Sequence, residues 1–267
     1  MGSEPRSGER SLKTIVAVDP EDLAEKAAAL LLTAIRTALS ARNGARVALS
    51  GGSTPRKTYR LLARGLFAEK LPMDRIDWFF GDERWVPVSS PESNEGMARE
   101  TLLDAAAAPA GTIHSWGAPA GDPRDCARRY ARAILGDRGD ESPVFDLVVL
   151  GMGADGHTAS LFPDAVAHLS DGRILPIAAD LPGDAAAVEL PRSRGWRLTL
   201  CPNMLQHCRT VAFLVTGADK ATALRRARAG DLDTPAAWIR GDETFFIVTR
   251  ETMSSTGTDG ALDVRHA

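Results

Sequence analysis

Short, continuous apolar runs that end in glycine- or charge-rich loops leave this chain few folds to adopt. RVALS (46–50) opens into Gly51-Gly52-Ser53-Thr54-Pro55, RIDWFFG (75–81) into Asp82-Glu83-Arg84, and FDLVVL (145–150) into Gly151-Met152-Gly153-Ala154-Asp155-Gly156-His157. Runs of this length that do not alternate with polar residues read as strands covered on both faces. Further strands are expected at 187–190, 196–200, 210–216 and 244–249, with helical segments between the strands. The first helix is well punctuated: Asp19 suits the N-cap, Pro20 the first turn, Glu21 and Asp22 the positive helix end, and Asn43-Gly44 the stop. Segments 56–66, 93–107, 122–135 and 218–229 read as the other helices.

This alternation predicts an α/β fold, a Rossmann-like, doubly wound, mostly parallel sheet with helices on both faces. Residues 174–200 are poorer in helix signals, so a small antiparallel excursion is expected near 160–200. A single domain over 12–250 is expected, with 1–11 and 253–267 as flexible tails.

Charge and cysteine content narrow the function. A net charge of −3 argues against a nucleic-acid partner, which would call for a basic stripe. No apolar segment approaches the ~18 residues that span a bilayer, and the apolar stretch 27–39 carries Arg36. The N-terminal MGSEPRSGERSLK lacks the apolar centre of a signal peptide. Cys126, Cys201 and Cys208 are too few for a disulfide framework. Cys201, His207 and Cys208 lie close in sequence, but a structural zinc needs a fourth ligand at recognisable spacing, so no metal is expected. A cytoplasmic enzyme or binding protein with a small-molecule ligand fits these features.

Open α/β sheets bind ligands beyond the carboxyl ends of their strands, where all three loops fall. In LSGGSTP the glycines admit a close ligand, the following helix start offers free N–H groups, and Ser53 and Thr54 add hydroxyls. That suits a phosphate or oxyanion, although a tight turn with an N-capping hydroxyl reads the same way. It is not a Walker A loop, because G-x-x-x-x-G-K is absent. GDERWVP carries two carboxylates and an arginine directly after an apolar run, which puts them at the sheet edge.

The third loop matches G-x-G-x-x-G. A dinucleotide fingerprint, however, needs its last glycine inside a crossover helix. Pro163 arrives seven residues after Gly156, and Asp155 would stand where a pyrophosphate must approach. Asp180, near the spacing of a ribose-binding acid, does not outweigh both objections. The same glycines permit a folded loop that presents Asp155 and His157, and imidazole, with an ordinary pKa of ~6.5, suits acid–base work at neutral pH.

LSGGSTP, GDERWVP, SNEGMARETLL, LGMGADGHTASLFP and WRLTL, in that order, resemble successive motifs of the 6-phosphogluconolactonase family over roughly residues 12 to 250. That family is grouped with glucosamine-6-phosphate deaminase among sugar-phosphate enzymes of Rossmann-like fold. The resemblance implies hydrolysis of 6-phospho-D-glucono-1,5-lactone to 6-phosphogluconate, the second step of the oxidative pentose phosphate pathway, without a cofactor. It assigns His157 as general base, with Asp155 orienting it, and places Asp82 and Arg84 in the catalytic part of the site. Arg84 would meet substrate oxygens or the developing oxyanion; the division of roles between Asp82 and Glu83 stays open. Phosphate and substrate binding would fall to Gly51, Gly52, Ser53, Thr54, Asn94, Arg197 and Lys220. The family carries a proline-rich stretch before its arginine, whereas this chain reads PRSRGWRLTL, so Arg192 and Arg194 rival Arg197. The deaminase motif has a glutamate five residues after its histidine; here that position is Phe162. A sugar-phosphate sensor on the same fold would add a DNA-binding domain or lose the histidine. The expected assembly is a monomer or a homodimer.

Overall fold

A computed structural model describes residues 11–136, 143–169, 172–190 and 195–254. It holds eleven described strands: β1 (Ser11–Ala17), β2 (Ala45–Leu49), β3 (Ile76–Phe80), β4 (Asp82–Arg84), β5 (Phe145–Leu150), β6 (Val166–His168), β7 (Ile174–Pro176), β8 (Ala185–Glu189), β9 (Trp196–Leu200), β10 (Cys208–Val215) and β11 (Glu243–Thr249). Six form a wholly parallel sheet in the order β1-β11-β10-β5-β2-β3. The other five form an antiparallel sheet, β4-β9-β8-β6-β7. The expected excursion near 160–200 is therefore a sheet of its own.

The long helices follow their caps. Helix α1 (Pro20–Arg42) starts where the Asp19 carboxylate accepts the Asp22 N–H at 2.8 Å and stops at Asn43 in the left-handed conformation. Helix α2 (Ser53–Leu62) begins directly after Gly52, three residues earlier than expected. Helix α3 (Pro123–Leu135) is capped by Asp122, and α4 (Ala221–Ala229) follows a 3-10 turn at Ala218–Lys220. The helix expected over 93–107 is shorter: one turn at Asn94–Ala98, capped by Ser93, passes into a π-helical turn at Arg99–Leu103.

Four strands were not anticipated. Among the described residues β1 is an edge strand paired with β11 alone, so its half-exposed LKTIVA pattern does not read as a buried run. β4, β6 and β7 have three residues each, and β4 is made of charged side chains. Ser11 opens β1 and Ser254 closes a helical turn at Arg250–Ser254, while the remainder of the expected tails lies outside the described residues.

Every residue of β5 is buried, as the apolar run required, and its one charge, Asp146, is held at the start of the strand by the Arg42 guanidinium and the Arg46 N–H. Helix α1 packs across β1, β11, β10, β5 and β2. Phe213 and Phe246 stack at the sheet centre with ring centroids 4.7 Å apart and no exposed surface. Replacing Phe213 by alanine should cost about 3–5 kcal/mol, the usual range for an aromatic truncated in a core. Urea unfolding reads this, and a loss below about 1 kcal/mol would mean that the stack is not integral to the core.

The chain order fixes where a ligand can bind. β2 leads outward to β3, whereas β5 leads the opposite way to β10 and β11. The direction therefore reverses between β2 and β5, and the crevice of such a sheet opens beyond their carboxyl ends. Gly51–Pro55 and Gly151–His157 leave from those two ends.

Candidate active site

Two buried tyrosines finish the strands beneath the site. The Tyr59 hydroxyl accepts the Ser50 N–H and donates to the Ser50 carbonyl, both at 3.0 Å. Tyr130 does the same at Phe80, accepting at 2.7 Å and donating at 3.2 Å. Backbone groups that leave a ladder at a buried strand end need partners, and these phenols supply them. Burial pushes both hydroxyls up, so they stay protonated as the donor role requires.

After β5 the chain runs without a helix through 151–165, so the last glycine of G-x-G-x-x-G does not enter a crossover helix, as a dinucleotide site demands. Gly153 N–H donates to the His157 carbonyl at 2.9 Å, closing a tight loop. The imidazole folds back onto Gly153, where an added Cβ would collide with its Nδ1 and Cε1. His157 Nδ1 meets Asp155 Oδ1 at 2.5 Å, and the same oxygen accepts the His157 N–H at 3.1 Å. Burial raises the Asp155 carboxyl, but the hydrogen bonds and charge of His157 outweigh it, and the net shift is downward. An ionised Asp155 accepts only, so in the neutral imidazole Nδ1 carries the proton and Nε2 the lone pair. The Phe162 ring lies 4.2 Å from the imidazole centroid. The position at which the deaminase motif carries a carboxylate thus presents a hydrocarbon face.

The second loop is the junction. Asp82 is buried; its Oδ1 accepts Asn94 Nδ2 at 3.0 Å and its Oδ2 accepts Ser160 Oγ at 2.7 Å. The Asn94 amide sits where a Cβ on Gly51 would stand, so only glycine fits there. Glu83 faces the other way and caps the Asn94 turn, accepting N–H bonds from Arg84, Asn94 and Glu95 at 2.7, 2.7 and 2.8 Å and the Ser93 hydroxyl at 3.0 Å. Burial pushes its carboxyl up against those bonds.

Cationic groups line the same rim. Arg84 and Arg197 stand opposite each other in the β4–β9 register, an unfavourable pairing for like charges. Arg84 donates to the Glu92 carbonyl, while the buried Arg197 Nε has no hydrogen-bond partner among the described residues. Burial, then the neighbouring Arg84 guanidinium, holds Arg197 below its ordinary value, with Asp82, Glu92 and Glu83 opposing. An anion between the two guanidiniums would relieve both costs. The Thr54 and Thr216 hydroxyls, 2.9 Å apart, join the start of α2 to the end of β10. Lys220, half-buried, follows four residues after Thr216. Gly52 and Ser53 are exposed beside Thr54 at the start of α2.

The structure thus gathers Gly51, Asn94, Asp82 and the His157 loop into one hydrogen-bonded and packed cluster, with Arg84 and Arg197 on the strand pair beside it. Ser53, Thr54 and Lys220 lie on the adjoining β2 and β10 ends, and Arg192 and Arg194 fall outside the described residues. Sequence reasoning missed Ser160, Tyr59 and Tyr130. The only local sign for the tyrosines is a polar-tipped ring on the buried face of a helix. Cys201, His207 and Cys208 form no ligand set: among the described residues no group of three or more His, Cys, Asp or Glu side chains is placed to hold a metal ion. Among the described residues, too, no helix is long and apolar enough to cross a membrane.

A family model described as glucosamine-6-phosphate isomerases/6-phosphogluconolactonase matches residues 18–247. A 6-phosphogluconolactonase from Synechocystis sp. is 36% identical over 231 residues, covering 84% of this chain and 90% of its own. The crystal structure of a 6-phosphogluconolactonase from Thermotoga maritima superposes with a TM-score of 0.74 at 26% identity, covering 90% of this chain and 100% of its own. The three-dimensional structure of a 6-phosphogluconolactonase from Trypanosoma brucei gives a TM-score of 0.74 at 27% identity, covering 94% of this chain and 100% of its own.

Proposed function

The chain belongs to the family of glucosamine-6-phosphate isomerases and 6-phosphogluconolactonases, and we propose that it hydrolyses 6-phospho-D-glucono-1,5-lactone to 6-phospho-D-gluconate in the oxidative pentose phosphate pathway. The observation that carries the chemistry is the Asp155–His157 pair, with Nδ1 engaged by the carboxylate and Nε2 without a hydrogen-bond partner among the described residues. His157 Nε2 takes a proton from water as the oxygen attacks the lactone carbonyl carbon. The carbonyl electrons move onto oxygen, and the tetrahedral intermediate collapses with cleavage of the bond to the ring oxygen. The imidazolium returns the proton to that leaving oxygen, which restores the base. The reaction is redox-neutral and consumes only water, so it calls for no cofactor.

Arg84 faces the substrate oxygens or the developing oxyanion, where a fixed cation is most effective. Arg197 and Lys220 supply positive charge to the phosphate, and Gly51, Gly52, Ser53 and Thr54 supply N–H and hydroxyl donors from the start of α2. Asn94 shapes that loop from above Gly51. The Phe162 ring on the imidazole favours hydrolysis over deamination, because no carboxylate stands at that position to set the histidine for ring opening. A single domain over 12–250, acting in the cytoplasm as a monomer or homodimer with the phosphosugar lactone as its partner, completes the reading.

A pH-stat assay on freshly made lactone tests it, with spontaneous hydrolysis subtracted. Acid release should saturate with substrate and scale with protein. A rate no greater than the spontaneous one would overturn the assignment.

A further inference from the structure

Asp82 is a buried acidic residue, and both of its side-chain oxygens are held by hydrogen bonds. Oδ1 accepts the Asn94 amide, whose Nδ2 also donates to the Asp82 carbonyl at 2.9 Å, and Oδ2 accepts the Ser160 hydroxyl. Ser160 is docked twice. Its N–H donates to Thr199 Oγ1 at 3.3 Å, and Thr199 is the residue paired with Asp82 across β4 and β9. Asp82, Thr199 and Ser160 therefore close a ring around the strand pair. One side of that ring leads through Asn94 to Gly51, and the other leads, three residues back along the chain, to His157.

We infer that Asp82 and Ser160 are positioning residues that hold the His157 loop in register with the Gly51–Thr54 loop, and that Asp82 takes no part in proton transfer. The inference rests on the proposed hydrolysis for its kinetic consequence, though not for its structural one. The phosphate end of the substrate is gripped from the β2, β9 and β10 ends, whereas the reacting carbonyl must meet Nε2. Slack in the link between these loops leaves binding intact and spoils the approach of water to carbon. A misplacement of about 1 Å at such a distance can cost on the order of 100-fold in rate.

Ser160→Ala, Ser160→Thr and Asp82→Asn decide the point. Ser160→Ala should lower kcat by about tenfold or more with KM within about threefold, the pattern of a lost transition-state arrangement. The shape of its pH–rate profile should match wild type, and Ser160→Thr, which keeps the hydroxyl, should recover most of the rate. Asp82→Asn should behave like Ser160→Ala, because its amide keeps one acceptor oxygen where two donors, Asn94 Nδ2 and Ser160 Oγ, need one each. Amide hydrogen exchange provides a readout that needs no activity. Ser160→Ala should raise exchange in 151–163 and also in 94–98, on the far side of Asp82, while Ser160→Thr should not.

Kinetics of Ser160→Ala within about twofold of wild type, or exchange confined to 151–163, would overturn the inference. So would a pH limb that disappears in Asp82→Asn but persists in Ser160→Ala, since Asp82 would then titrate in the reaction. Should the wild-type protein fail to hydrolyse the lactone, the functional reading falls, and the exchange result alone still decides this one.

Discussion

Replacement of His157 by alanine is expected to lower kcat for lactone hydrolysis by at least about 100-fold, since a positioned general base typically contributes 10²–10⁴. The fold should survive. The imidazole is half-buried and rests on the Asp155 carboxylate, the Phe162 ring and the Gly153 backbone. An unfolding midpoint close to wild type together with a collapsed kcat would therefore separate chemistry from stability. Turnover within a few-fold of wild type would remove His157 from the role of base, whatever the family.

Asp155→Asn should be nearly as damaging, by about 100-fold or more in kcat, while KM changes little. The reason is the tautomer. An asparagine amide can donate to Nδ1, which moves the imidazole proton to Nε2 and leaves no lone pair facing water; a buried triad carboxylate treated this way loses about 10⁴. Asp155 is exposed, so water can partly replace the carboxylate, and the smaller figure is expected here. The double variant should be little worse than His157→Ala alone, because residues that act as a unit lose their effect together. A clearly additive double loss would show Asp155 acting elsewhere. The pH dependence follows the sign of the Asp155 shift. Its carboxyl sits below the ordinary value, so the orientation it gives is complete above that value and lost only as pH falls through the lower, folded one. A decline in rate between pH 5 and 8 would thus not come from Asp155.

The sequence carried the frame of this site further than its fittings. β2, β3, β5, β10 and β11 stand out because a strand buried on both faces is predominantly apolar, and the Asp19 and Asp122 caps are local chemistry that six residues suffice to reveal. β4 was hidden because its Asp82 and Glu83 are buried by hydrogen bonds from elsewhere in the chain, so no local pattern could mark them as a strand. Ser160 reaches Asp82 across 78 residues and Tyr130 reaches Phe80 across 50, distances over which composition and periodicity carry no information. The G-x-G-x-x-G spacing shows the opposite limit: a correct count of glycines describes a loop that can approach something closely. Here the thing approached is the protein's own imidazole, lying on Gly153.

The most direct measurement follows both possible products on one preparation of the protein. Acid release from 6-phosphogluconolactone, net of the spontaneous rate, and ammonia release from glucosamine 6-phosphate are measured side by side at neutral pH. The arrangement of Asp155, His157 and Phe162 predicts saturable lactone hydrolysis that falls at least about 100-fold in His157→Ala, with no ammonia above the blank. Ammonia release with the larger kcat/KM, or lactone hydrolysis within a few-fold of wild type in His157→Ala, would contradict it.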